Sequence, residues 1–95
     1  MTAFIALLSS YYLCDAAAAL HPLAPDTAQA CAARYEAVKD TFVDETAAGP
    51  EARRLAYMRF KRWEAENADL VADLRRDAHS QASDLIATWR YGDAI

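Results

Sequence analysis

The residue types that could carry metal chemistry in this sequence are two histidines and a row of aspartates. Neither His21 nor His79 has an acid or a cysteine at a ligand spacing on the same helix face. Asp69, Asp73 and Asp77 share one face of a helix, but a specific cation site needs oxygen ligands that converge from several elements. A solvated acidic face is the simpler interpretation, so the sequence predicts no metal and no cofactor.

Nucleophilic catalysis has no better support. Cys14 lies in an apolar segment, and no serine occurs in the glycine-flanked turn that exposes a catalytic hydroxyl. Two isolated glycines cannot form a phosphate-binding loop. The sequence therefore predicts that the chain is not an enzyme and has no catalytic residue.

The stretch 53–63 is unusual because it holds five basic residues, three aromatic residues and no acid. On a helical wheel, Ala56, Phe60 and Trp63 share the side that would face a core. The residues predicted to bind a partner lie outside that stripe: Arg54, Tyr57, Met58, Lys61 and Arg62. Such a face fits an acidic protein, phosphate groups or an anionic membrane surface. The alternative is that Glu64, Glu66 and the acidic helix 2 neutralise it within the fold.

We therefore expect a non-catalytic protein–protein interaction module, a small accessory, adaptor or inhibitor protein, with a phage genome as one source. One alternative is a small nucleic-acid-binding regulator that uses the basic face of residues 53–62. Another is a structural subunit of a larger assembly. The net charge of −4 disfavours non-specific nucleic-acid binding by the chain as a whole. Reversing Arg54 and Lys61 to glutamate is expected to weaken partner binding and leave stability nearly unchanged.

The elements that position this face are predicted to be helical. Alanine, the best helix former, makes up about a quarter of the chain. Apolar residues in the first half mirror one another about the Pro22–Leu23 step. The mirrored pairs are Phe4 and Phe42, Leu8 and Val38, Tyr11 and Tyr35, Cys14 and Cys31, and Ala18 and Ala28. Two antiparallel helices joined by a tight turn would bring these partners level.

The fold class predicted is all-α: an antiparallel hairpin of helices 1 and 2 packed with a long third helical segment, as a three- or four-helix bundle. Helix 1 is placed over residues 2–20 and helix 2 over residues 27–46, with Asp26 as the N-cap. The third segment, 51–91, is too long for one helix of a small domain. The weakest helical positions are Asn67 and residues 79–83. Of the two we expect the break near residues 79–83, and we expect Trp63 in the core.

Helix 1 is apolar on nearly every side, so it needs cover from a third element or a second copy, and a homodimer is predicted. The apolar run of residues 4–13 lacks the basic start of a signal peptide and is too short to span a membrane. We expect one domain over residues 1–95, in the cytoplasm, with no membrane span. Cys14 and Cys31 are expected to be free buried side chains whose Cα atoms lie within disulfide range, below about 7 Å, and a disulfide between them is the alternative.

Overall fold

The computed structural model describes residues 2–44, 46 and 48–92, with side chains described through residue 87. This part of the chain is all-α and contains no strand, as predicted. The four helices are α1 (Thr2–Leu20), α2 (Pro25–Asp40), α3 (Gly49–Glu66) and α4 (Ala68–Gly92). Helix α1 packs against α2 and α4, and α3 contacts α2 and α4. The arrangement is a helical bundle with α1 at its centre.

The helices α1 and α2 form the antiparallel hairpin that the mirrored residues predict. The rings of Phe4 and Phe42 lie 5.7 Å apart, and those of Tyr11 and Tyr35 stack at 5.0 Å. These contacts join residues whose numbers have a nearly constant sum, as an antiparallel register requires. The predicted bounds of helix 1 are also confirmed.

A disulfide bond joins Cys14 to Cys31, across the hairpin. Their Cα atoms are 5.6 Å apart, within the predicted distance. The expectation that both cysteines are free was wrong. The register that brings two apolar side chains level also brings two sulfur atoms into bonding range, because the Cα separation is typical of disulfides.

Helix α2 differs from its predicted bounds at both ends. It begins with Pro25 at its first turn and Ala24 as the N-cap residue, so Asp26 lies inside the first turn instead of capping it. A proline suits this position because its missing N–H would have no helical partner. The helix ends at Asp40, where the N–H of Thr41 donates to the carbonyl of Val38 in a tightened last turn.

The long third segment is divided at Asn67, and the prediction of a break near residues 79–83 was wrong. The backbone N–H and the side-chain Nδ2 of Asn67 both donate to the carbonyl oxygen of Trp63, at 3.0 and 2.8 Å. An asparagine side chain that competes for helical carbonyls favours a helix end. The segment around Ser80 stays helical because Ala78 and Ala82 on its other side are buried in the fold.

The core is built where all four helices meet. Its central side chains are Leu8, Tyr12, Val38, Phe60 and Ala78. Trp63 is only half-buried and packs edge-on against Phe4 at 5.1 Å, so it lies at the margin of the core. The cover that α1 needs comes from α2 and α4 of the same chain, and the homodimer stays a prediction.

Helix α1 is long and apolar enough to cross a membrane by length and composition, with a mean hydropathy of 1.6. The helix has 19 residues, so the apolar run of residues 4–13, which was judged too short to span a membrane, covers only part of its length. A core helix of a soluble protein and a signal sequence would meet the same criterion, and here Leu8 and Tyr12 are buried between neighbouring helices. The absence of a membrane span therefore remains a prediction.

Candidate functional site

The orientation of α3 is fixed by one buried side. Ala52, Ala56 and Phe60 are buried at spacings of four residues. The ring of Phe60 lies 6.3 Å from that of Tyr11 and 5.8 Å from that of Phe42. Small residues let the helix backbone approach its neighbours, and the one large ring fills the space between α1 and the end of α2. The opposite side of α3 must then face solvent.

That solvent-facing side carries all five residues predicted to bind a partner. We call it the α3 outer face, formed by Arg54, Tyr57, Met58, Lys61 and Arg62, and each is exposed. Tyr57 and Met58 retain 44% and 56% of their accessible surface. Two large, mainly apolar side chains of α3 are therefore exposed to solvent. Aromatic residues, methionine and arginine are the types enriched at protein interfaces.

The charges around this face are mostly paired within the chain. Four of the five cations of residues 53–62 have a carboxylate partner: Arg53 with Glu36 and Asp40, Arg54 with Glu51, Arg59 with Asp44, and Lys61 with Glu64. Among the described side chains, Arg62 takes part in none of the ion pairs. The alternative of internal neutralisation therefore holds for most of the stretch, and the unpaired charge is concentrated at Arg62.

A shallow depression of about 260 Å³ adjoins Arg62 on the surface of α3. Its lining consists of Leu55, Met58, Arg59 and Arg62. The guanidinium of Arg59 is held by the carbonyl oxygen of Phe42 at 3.3 Å and by Asp44. The depression thus has an apolar floor, one fixed cation and one unpaired cation. It can accept an apolar side chain that is accompanied by a carboxylate.

A polar network next to the face was not predicted from the sequence. The hydroxyl of Tyr12 donates to Glu64 at 2.6 Å, and the Lys61 ammonium pairs with the same carboxylate at 2.7 Å. Arg75 from α4 approaches Glu64 at 3.4 Å, packs over the Tyr12 ring at 4.2 Å and pairs with Asp15. The network joins α1, α3 and α4. Sequence reasoning missed it because Tyr12, Glu64 and Arg75 lie on three different helices.

The network fixes the ionisation of its members. Partial burial opposes ionisation of Glu64, but hydrogen bonds from Lys61 and Tyr12 and the charge of Arg75 hold its pKa below the ordinary value. The hydrogen bond from Lys61 to Glu64 raises the pKa of the lysine. Burial, followed by the bond to Glu64, raises the pKa of Tyr12. Lys61 therefore has a structural partner, and its reversal to glutamate would not be neutral for stability.

The lowered pKa of Glu64 predicts acid sensitivity. A carboxyl group whose pKa is lower in the folded than in the unfolded state contributes stability above its ordinary pKa of 4.5, and that contribution is lost as the pH falls through the folded-state value. We expect Glu64→Gln to cost about 1–2 kcal/mol at pH 7 and to flatten the acid limb. Urea unfolding from pH 7 down to pH 3 measures both.

The exposed neighbour Glu66 offers the matched control, because Glu66→Gln removes the same charge without touching the network. The pKa of Glu36 is also lowered, chiefly by its bond to Lys39, so protonation of Glu36 at low pH also reduces the stability of wild type. Comparison of the Glu64→Gln and Glu66→Gln variants, which both keep Glu36, isolates the contribution of Glu64. Parallel pH profiles for Glu64→Gln and wild type would show that the Glu64 carboxylate adds nothing to the fold.

No group of three or more metal-ligating side chains converges within the described part of the chain. The ring of His21 is engaged by the neighbouring carbonyl of Pro22 at 2.8 Å. Asp73, one of the three aspartates in a row on α4, pairs with Arg76 at 3.1 Å. The α3 outer face is accordingly the strongest candidate site.

Comparison with known proteins gives no match: no family model, curated protein or solved structure is significantly similar to this chain.

Proposed function

We propose that this chain is a non-catalytic protein-interaction module that docks on an acidic protein partner through the α3 outer face. The observation that carries the proposal is the exposure of Tyr57 and Met58 outside the buried stripe of α3. Neither side chain belongs to the buried stripe of the helix, which Ala52, Ala56 and Phe60 form. Burying them against a partner would remove apolar surface from water and stabilise the complex.

The charge distribution supports a protein partner over nucleic acid. Phosphate binding depends on cations that are free to replace counterions. Four of the five cations in residues 53–62 are already paired with carboxylates of the chain, and the chain as a whole is acidic. A partner that presents one or two carboxylates beside an apolar side chain matches the depression at Met58 and Arg62 better than a phosphate backbone does.

The experiment that tests this function compares two double variants in capture from a lysate of the source organism. The face variant combines Met58→Asp with Arg62→Glu. We expect it to retain the wild-type free energy of unfolding to within about 1 kcal/mol, because both side chains are exposed. We expect its partner affinity to fall at least about 10-fold, since anchors of this type dominate interface energies. Titration calorimetry with the captured partner measures the loss.

The control variant makes the same substitutions on α4, as Leu85→Asp with Arg76→Glu. Both residues are exposed, and Leu85 retains 42% of its surface, so the control matches the face variant in charge and in polarity. We expect it to bind as wild type does. Equal binding by the face variant and wild type would place the docking surface elsewhere. If wild type captured nucleic acid in a salt-sensitive manner and the face variant did not, the alternative function as a nucleic-acid-binding regulator would be favoured.

The predicted homodimer and the cytoplasmic location remain predictions. The Cys14–Cys31 disulfide favours an oxidising compartment over the cytoplasm, because disulfides persist under oxidising conditions and are rare in a reducing cytoplasm.

A further inference from the structure

The two sulfur atoms of the Cys14–Cys31 bond have different surroundings. Cys14 is buried, with 6% of its surface accessible, whereas Cys31 on α2 is only half-buried. An open cleft of about 320 Å³ lies over the bond, between the stacked rings of Tyr11 and Tyr35 and the alanines of the hairpin. Both cysteines line this cleft, and Cys31 is the more accessible residue, so a small thiol that enters the cleft meets Cys31 more readily.

A cation lies beside the buried sulfur. The Nη1 atom of Arg34 is 3.1 Å from the Sγ atom of Cys14, and none of the ion pairs among the described side chains involves Arg34. An arginine next to a cysteine stabilises the thiolate over the thiol. In disulfide exchange, the sulfur whose thiolate is the more stable departs more easily. Cys31 is thus the more accessible end of the bond, and Cys14 is the end with the better leaving sulfur.

The other charged and titratable groups near Cys14 leave this arrangement intact. Asp15 follows it on α1, but its carboxylate pairs with Arg75 of α4 at 3.2 Å. Burial, with a smaller contribution from Asp15, raises the pKa of Tyr11 to about 12, so this phenol is neutral at physiological pH. The guanidinium of Arg34 is therefore the charge in direct contact with the Cys14 sulfur.

We propose that Cys14–Cys31 is an exchangeable disulfide, in which an external thiol of the glutathione class attacks Cys31 and Cys14 departs as a thiolate held by Arg34. The attacking thiolate forms a new S–S bond to Cys31, and the electron pair of the broken bond passes to Cys14, which later takes a proton from water. A second glutathione thiolate attacks the glutathione sulfur of this mixed disulfide. Cys31 departs as a thiolate that takes a proton from water, and the two glutathiones leave as their disulfide, which completes a two-electron reduction.

The test measures the rate at which glutathione reduces the intact protein. We expect Arg34→Gln to slow the first step by about 3- to 10-fold, because the Cys14 leaving group loses its cation. Arg34→Lys should recover most of the rate, since it restores a positive charge. The control Arg76→Gln removes an exposed arginine from α4 and should react as wild type does. A rate for Arg34→Gln equal to or above that of wild type would overturn the proposal.

The position of attack is measured in the same reaction. Acid quenching, alkylation of free thiols and mass spectrometry of the peptides show which cysteine carries glutathione. We expect the adduct on Cys31 and the alkyl group on Cys14. The reverse labelling, or an equal mixture, would contradict the assigned roles. Thermal unfolding of each oxidised variant separates a lost cation from a lost fold, because a slower reaction in a protein of unchanged stability cannot arise from unfolding.

Discussion

Removal of the Cys14–Cys31 bond is expected to lower the free energy of unfolding by about 3 kcal/mol. The bond joins residues 17 positions apart, and a loop of that size loses about this much conformational entropy in the unfolded state when it is closed. Other contacts cannot compensate in the first half of α2, because Val38 is the one buried residue of that helix. For a chain of this length the midpoint of thermal unfolding should fall by roughly 15 °C.

The measurement is urea unfolding of the double variant Cys14→Ala with Cys31→Ala, compared with wild type. Reduction of wild type should reproduce most of the loss, and the same reductant should leave the variant unchanged. We also expect faster amide exchange in the first half of α2, since that segment is held to α1 largely by the disulfide. A loss below about 1 kcal/mol, with unchanged exchange, would mean that the hairpin packs without the covalent link.

Truncation of Phe60 is the other change expected to have a large effect. Phe60→Ala should cost about 3–5 kcal/mol, because the side chain is 1% exposed and lies at the centre of the core. Its loss would leave a cavity between Tyr11 and Phe42, which contact it from α1 and from the residues after α2. Urea unfolding measures the cost, with Met58→Ala as a control on the exposed side of the same helix.

The sequence pattern also predicts Trp63 in the core, on the stripe that it shares with Phe60. The structure places Trp63 at the margin, half-buried against Phe4, so Trp63→Ala should cost less than Phe60→Ala. If Trp63→Ala proved the more damaging of the two, the assignment of the core to Phe60 would be wrong.

The hairpin could be predicted from the sequence because its information is local. Mirrored apolar residues on two helices with a proline-containing turn between them admit one simple antiparallel register, and the contacts of Phe4 and Tyr11 follow it. The division of the third segment could not be placed in this way. Asn67 and the serines near residue 80 are both weak helix positions, and the burial of Ala78 and Ala82 against other helices decides between them.

The exposure of the candidate site also follows from helical periodicity, since the buried stripe of α3 defines its outer face. The charge of that face does not follow from it. The sequence offers neutralisation by Glu64 and the acidic helix 2 as an alternative, and Lys61 lies three residues before Glu64. The partners of the neighbouring cations Arg53, on α2, and Arg59, at Asp44, are long-range contacts that no spacing within α3 indicates. Lys61 is drawn to Glu64 because Tyr12 and Arg75 hold that carboxylate in place. The face that the sequence predicts to be basic therefore has most of its charges paired in the fold, which leaves the exposed side chains of Tyr57 and Met58 and the unpaired charge of Arg62.

The most direct test of the docking proposal is oxidative footprinting of the complex captured by this chain. Hydroxyl radicals react readily with exposed methionine and tyrosine, and Met58 and Tyr57 are both exposed on the α3 outer face. We predict that the partner slows oxidation of Met58 and Tyr57 several-fold and leaves Tyr35, on the α1–α2 hairpin, at the rate of the free protein. Unchanged oxidation of Met58 and Tyr57 in the complex, with protection at Tyr35 instead, would contradict the proposal.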